Sequence, residues 1–250
     1  MKSRLSPVSI TLASVLCGLL LGCGGVDPAD DQPGAGGDGS GGAPSVALPE
    51  GPLLPWAVGN SWTYRVTKDG VEALKTTTIG DLEEVGGDGP NADVMAYHVT
   101  TAKGTDQKDH TESWQGPSSD EPERIVRYRE QSFDASSGKL ELEEYWDPPR
   151  PHIDGTAEHT APGASWLEDY EETKLPVGLS KSTHAARELW TVVSNDETVE
   201  VPAGTFEHAI HFRKVAGSTK EYWYLRGVGK LKETGSQTEE LTEYELEDAP

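Results

Sequence analysis

Positive charge is scarce in this 250-residue chain: 21 Lys and Arg stand against 43 Asp and Glu, a formal charge of −22. Such a balance excludes nucleic acid as a partner, since binding it requires basic side chains against the phosphates. It equally excludes docking on anionic lipid through a polybasic face. Cysteine is nearly absent, with only Cys17 and Cys23, and Phe occurs three times. Apolar residues make up 34%, and only residues 8–21 form a long uncharged apolar run. That run is shorter than the roughly 20 residues a membrane-spanning helix needs.

The run comes after Lys2 and Arg4, which gives the start of the chain the anatomy of a secretory signal. It ends in Leu20-Leu21-Gly22-Cys23. This resembles the lipobox of bacterial lipoproteins, which implies a signal peptide over 1–22, cleavage before Cys23 and lipid on that cysteine. Leu21 is bulkier than the residue usual at its place. With Cys17 removed and Cys23 lipidated, the mature chain holds no disulfide and no Cys metal ligand. Loss of Lys2 and Arg4 takes the formal charge to −24. Several acyl chains hold a protein to a membrane stably, so the anchor is the lipid. Gly24 stands directly after the cysteine, where Asp is the usual inner-membrane retention signal, which points to the outer membrane.

Residues 23–52 read as a tether. The stretch is almost entirely Gly, Asp, Ala, Pro and Ser and has no aromatic residue, so it cannot bury enough apolar area to offset the entropy of ordering. As a coil it reaches roughly 25–30 Å. Asp27, Asp30, Asp31 and Asp38 lack the spacing of a calcium loop.

Residues 53–250 are predicted to form an all-β domain. Short alternating runs are separated by turn residues, as in Trp62, Tyr64 and Val66 before Lys68-Asp69-Gly70. No segment of the mature chain reads as a helix. Gly59-Asn60-Ser61-Trp62 recurs as Gly163-Ala164-Ser165-Trp166, and the runs after each copy come in the same order. Residues 94–101 correspond to 209–216, Trp114 to Trp223, and each half closes on an acidic strand. The expected architecture is a curved antiparallel sheet, half-barrel or sandwich-like, built from two related halves at 55–148 and 160–248. Pro148-Pro149-Arg150-Pro151 is expected to be the hinge between them, because Pro is unsuited to a central strand.

Three stretches carry a family resemblance: Trp56-Ala57-Val58-Gly59-Asn60-Ser61-Trp62-Thr63-Tyr64, residues 199–206 with Pro202-Ala203-Gly204, and residues 223–232 with Gly227-Val228-Gly229. The chain resembles bacterial envelope lipoproteins related to the TapB-like and DUF3108-like families. That resemblance covers most of residues 55–248 and implies a curved antiparallel sheet akin to half-barrel carriers. It transfers no catalytic residue. The motifs themselves are structural: Pro202-Ala203-Gly204 suits a tight turn, and Gly227 and Gly229 suit a close backbone approach.

Catalytic chemistry finds little footing. His208 and His211 are expected on opposite faces of a strand, an odd spacing unsuited to one metal. His152 and His159, with Asp154 and Glu158, are expected to be solvated loop residues. No G-x-S-x-G elbow is present, and acidic pairs such as Glu83-Glu84 and Glu143-Glu144 read as solvated strand faces. No cofactor and no metal is expected. Trp62, Trp166, Trp190 and Trp223 either fill the core or line a concave face that takes an apolar ligand. The sequence therefore predicts a non-enzymatic outer-membrane lipoprotein, a binding or interaction module whose partner is a lipid or an envelope component. A carrier of an apolar ligand and a hydrolase are the alternatives.

Overall fold

The computed structural model describes residues 49–104 and 108–247. Cys23, the signal segment and nearly all of the tether lie outside the described residues. Twelve strands succeed one another: β1 (Ser61–Lys68), β2 (Val71–Glu84), β3 (Met95–Lys103), β4 (Asp109–Pro117), β5 (Arg124–Phe133), β6 (Leu140–Asp154), β7 (Ser165–Pro176), β8 (Ser182–Val201), β9 (Gly204–Ala216), β10 (Ser218–Leu225), β11 (Gly229–Thr234) and β12 (Thr238–Glu245). Each pairs with the next, antiparallel, and β1 pairs with β12. The sheet thus closes into an up-and-down barrel, further than the half-barrel expected. Closure removes both sheet edges. Among the described residues every regular element is a strand, as the alternation predicts.

The turns arise from their residues. Asp69 and Gly70 have φ of 51° and 79°, the two positive values a two-residue hairpin needs to match strand twist. Gly204 closes the β8–β9 turn with φ of 141°.

The proline run is not a hinge outside the sheet. Pro148, Pro149 and Pro151 lie within β6. The ladder with β5 passes from the Arg129–Tyr145 pair to the Arg127–Arg150 pair, so a bulge on β6 takes up Pro148 and Pro149. On the other side, pairing with β7 ends at Asp147, so the prolines owe that neighbour no N–H. A bulge and a released edge are the two places where a strand tolerates proline.

The last tether residues belong to the fold. Gly227 N–H donates to Pro52 O at 2.9 Å, and Arg226 donates to Gly51 O at 3.2 Å. This anchors Leu53 and Leu54 among the buried residues, where they plug one end of the barrel with Ile125, Ile153 and Leu225. Gly229, at φ of 105°, lets the plug and Trp62 approach: a Cβ there would lie 3.0 Å from both Leu54 and the Trp62 indole nitrogen. Gly229→Ala is expected to cost about 1–3 kcal/mol through backbone strain and this crowding, read as a lower denaturant midpoint.

The halves repeat in detail. Gly59 N–H donates to Ile79 O, and Ile79 N–H to Asn60 O; likewise Gly163 donates to Val192 O, and Val192 to Ala164 O. Both copies also close a small turn, Asn60 onto Ala57 and Ala164 onto Ala161. The G-x-S-W echo is therefore one local structure used twice, opening strands β1 and β7.

Candidate functional site

Twelve strands enclose more space than apolar side chains fill, and the barrel holds a cavity of about 320 Å³. Leu54, Trp56, Trp62 and Val99 line the part nearest the plug, and Tyr64, Tyr222 and Tyr224 line its wall. The rest is charged. Lys75, Arg127, Arg150, Lys214, Lys220 and Lys230 reach it, with Glu130, Glu233 and Glu239.

Glu188 is the anchor of one side. It is fully buried and accepts bonds from Arg150 at 2.7 and 3.0 Å, Tyr170 at 2.8 Å, Trp190 at 3.1 Å and Lys214 at 3.3 Å. Burial opposes its ionisation, but Lys214 and Arg150 outweigh it and hold the carboxyl below its ordinary range. Across the cavity, Lys230 donates to Glu233 and Glu239 at 2.7 Å each. Lys220 also holds Glu233, and Lys75 also holds Glu239. Burial works against all of these charges, yet the mutual pairing keeps Glu233 and Glu239 low and Lys230 high.

Lys75 and Lys214 respond differently. Burial, then repulsion from Lys230 and Arg150 respectively, brings each down to about 8. Aromatic faces supply part of the missing solvation: Lys230 sits 4.8 Å from the Tyr64 ring centre and Lys214 5.1 Å from that of Trp190. His152 lines the cavity too; burial and the Arg127 charge hold it neutral.

Three side-chain atoms of lining residues are buried without a protein partner among the described residues: Arg127 Nε, Trp56 Nε1 and Gln115 Oε1. All three belong to residues that line the cavity, but the atoms themselves have almost no accessible surface and are shielded from it.

Of the four tryptophans singled out from the sequence, Trp62 lines the cavity, its indole N–H bonded to Val228 O at 2.6 Å. Trp190 is buried beside Glu188. Trp166 stacks between His159 at 4.1 Å and Trp190 at 6.2 Å, bonding Glu168 at 3.0 Å. Trp223 is on the outer wall. It stacks on His211 at 4.2 Å and donates to Glu197 at 2.7 Å.

That outer arrangement occurs twice. In the first half Trp114 stacks on His98 at 5.2 Å and donates to Glu83 at 2.8 Å. Glu112 and Glu221, two residues before their tryptophans, each face the other imidazole nitrogen, at 3.6 and 2.7 Å. No group of three or more metal-ligating side chains fit to hold an ion occurs among the described residues.

Two histidine expectations change. His208 has φ of 63° in an irregular stretch of β9, so strict alternation does not run from His208 to His211. They bond different carboxylates, Asp196 at 2.7 Å and Glu197 at 3.0 Å. His152 and His159 are not solvated: His152 faces the interior, and His159 bonds Asp154 at 2.7 Å. Nor are the acidic strands solvated throughout, since Glu144, Glu168, Glu188, Glu233 and Glu239 are buried. Sequence patterning by hydrophobicity misses these interior charges. Their signal is spacing: Glu188, Lys214 and Glu239 each stand two places from a buried apolar residue, Trp190, Phe212 and Leu241, and so share its face.

The outer wall carries paired charges. Asp169 and Arg187 meet at 2.6 Å on mid-strand positions of β7 and β8, both solvent-exposed. A lipid-facing band does not accommodate such pairs.

No protein-family model and no curated protein matches the sequence. Two solved structures are similar. One is a Bacteroides fragilis protein described as exported, with a YmcC-like fold: TM-score 0.46, 12% identity, over 78% of this chain and all of that one. The other is a Parabacteroides distasonis protein described as a lipoprotein: TM-score 0.36, 10% identity, over 80% of this chain and all of that one.

Proposed function

We propose that this chain is a lipoprotein of the cell envelope, held on the outer membrane through Cys23, and that its barrel is a non-catalytic module binding a small molecule in its interior. The observation that carries the binding part is the cavity itself, with the cations that line it. At about 320 Å³ it falls at the small end of ligand sites, which span about 300–1,000 Å³. Its lining favours a polar ligand over the apolar one that the tryptophans alone suggested.

The non-catalytic part is supported by how the interior carboxylates are used. Glu188, Glu233 and Glu239 are each held by two cations. Kept ionised and low, they are poorly matched to general acid–base work near neutral pH. The anchor is supported by the sequence around Cys23 and by the charged outer wall, which leaves attachment to the lipid.

Three measurements test this reading. Cys23→Ser is expected to move the protein from the membrane fraction to the soluble one; retention of the variant on membranes after alkaline washing defeats the anchor. Native mass spectrometry of the full chain extracted in mild detergent is expected to show a bound small molecule. Turnover by the purified protein in a hydrolase substrate screen, lost on Glu188→Gln, overturns the non-catalytic part.

A further inference from the structure

The interior charge runs against the charge of the whole molecule. A chain with 21 basic and 43 acidic residues directs six of its bases, Lys75, Arg127, Arg150, Lys214, Lys220 and Lys230, into one cavity. Four carboxylates answer them there: Glu130 on Arg127, Glu188 on Arg150 and Lys214, Glu233 on Lys220 and Lys230, and Glu239 on Lys75 and Lys230. The inner network therefore holds two more cations than anions. Burying uncompensated charge is costly, and an anion seated among these groups would offset that cost.

Leu53 and Leu54 plug one end of the barrel, while Lys220, with 36% of its side chain exposed, marks the solvent side. The ligand therefore enters past Lys220.

We propose that the cavity binds a small organic anion, its carboxylate or phosphate on Arg127 and the neighbouring cations. The proposal rests on the reading of the barrel as a binding module and names the class of its ligand.

The test is calorimetric titration of the full chain at low salt, with tryptophan fluorescence as a second readout. The probes are D-glucuronate, D-glucose 6-phosphate, inorganic phosphate, cyclohexanecarboxylate, neutral D-glucose and dodecanol. Glucuronate or glucose 6-phosphate is expected to bind, and their ratio tells a carboxylate site from a phosphate site. Glucose and dodecanol are expected not to bind. Cyclohexanecarboxylate is expected to bind if the carboxylate probe does, and inorganic phosphate if the phosphate probe does. Arg127→Gln is expected to weaken the anion about tenfold or more, as loss of a charge-assisted bond does. Lys220→Gln, at the more exposed position, serves if the first variant does not fold, with an expected loss of about threefold. Arg187→Gln on the outer wall is expected to change nothing. Binding of glucose or dodecanol without any anion overturns the anion proposal and leaves the binding module standing. Failure of every probe at 10 mM, with no small molecule seen by native mass spectrometry, overturns both.

Discussion

Replacing Glu188 by alanine is expected to destabilise the barrel by about 3–5 kcal/mol, the usual cost of stripping the partner from a buried charge. The side chain is fully buried and holds Arg150, Lys214, Tyr170 and Trp190 together. Without it two cations face each other across the wall, with no carboxylate between them. Glu188→Gln separates shape from charge: it fills the same space and leaves the same cations uncompensated, so most of the loss is expected to persist. Removing the outer-wall carboxylate, Asp169→Ala, is expected to leave the denaturant midpoint unchanged, because that pair with Arg187 is solvated on both sides. Equal effects at the two positions would contradict the assignment of Glu188 as the buried partner of Arg150 and Lys214.

The second large effect is in acid. Glu188, Glu233 and Glu239 titrate below their ordinary value in the folded state. Groups depressed in this way stabilise the fold above the ordinary value and lose that contribution as pH falls through the folded one. Glu239 is brought down from 4.5 to about 2, which sets the window. A carboxyl held that far below its ordinary range contributes on the order of 2–3 kcal/mol at neutral pH. Glu233 and Glu239 share Lys230, so their contributions are not additive. Unfolding free energy measured by urea titration is expected to decline as pH falls below about 6.5, where the unfolded chain protonates His152 and the buried ring does not, and to fall more steeply between about 4.5 and 2. A flat profile through that window would refute the pairing.

Much of the fold is legible in the sequence because alternation is local. Trp62, Tyr64 and Val66 announce one face of β1, and Asp69-Gly70 announces its turn. Closure is not legible, because β1 meets β12 across nearly the whole chain and no local pattern encodes that pairing. The proline run misleads for a related reason: whether Pro148 and Pro149 break a strand depends on what the neighbours pair with, and β7 has already let go. The site is legible only in part. Trp62 is a lining residue, but in the sequence the cations and carboxylates look like a wet surface. In a closed barrel with a polar interior the inward face is also charged, so hydrophobic patterning alone cannot tell the two faces apart.

The repeated opening of β1 and β7 bears on where such a cavity comes from. Six strands per half is an even number, so β7 starts in the same direction as β1, and a half-turn about the barrel axis carries one half onto the other. Two separate copies of a six-stranded chain could close such a ring with alike seams, as isologous dimers do. Joining them in one gene frees each copy to change alone. The cations do not follow that symmetry: Lys75, Arg127 and Arg150 come from the first half, Lys214, Lys220 and Lys230 from the second. Of these only Arg127 on β5 and Lys230 on β11 stand on corresponding strands. A symmetric pair must present every group twice; the fused chain can shape an asymmetric pocket for an asymmetric guest.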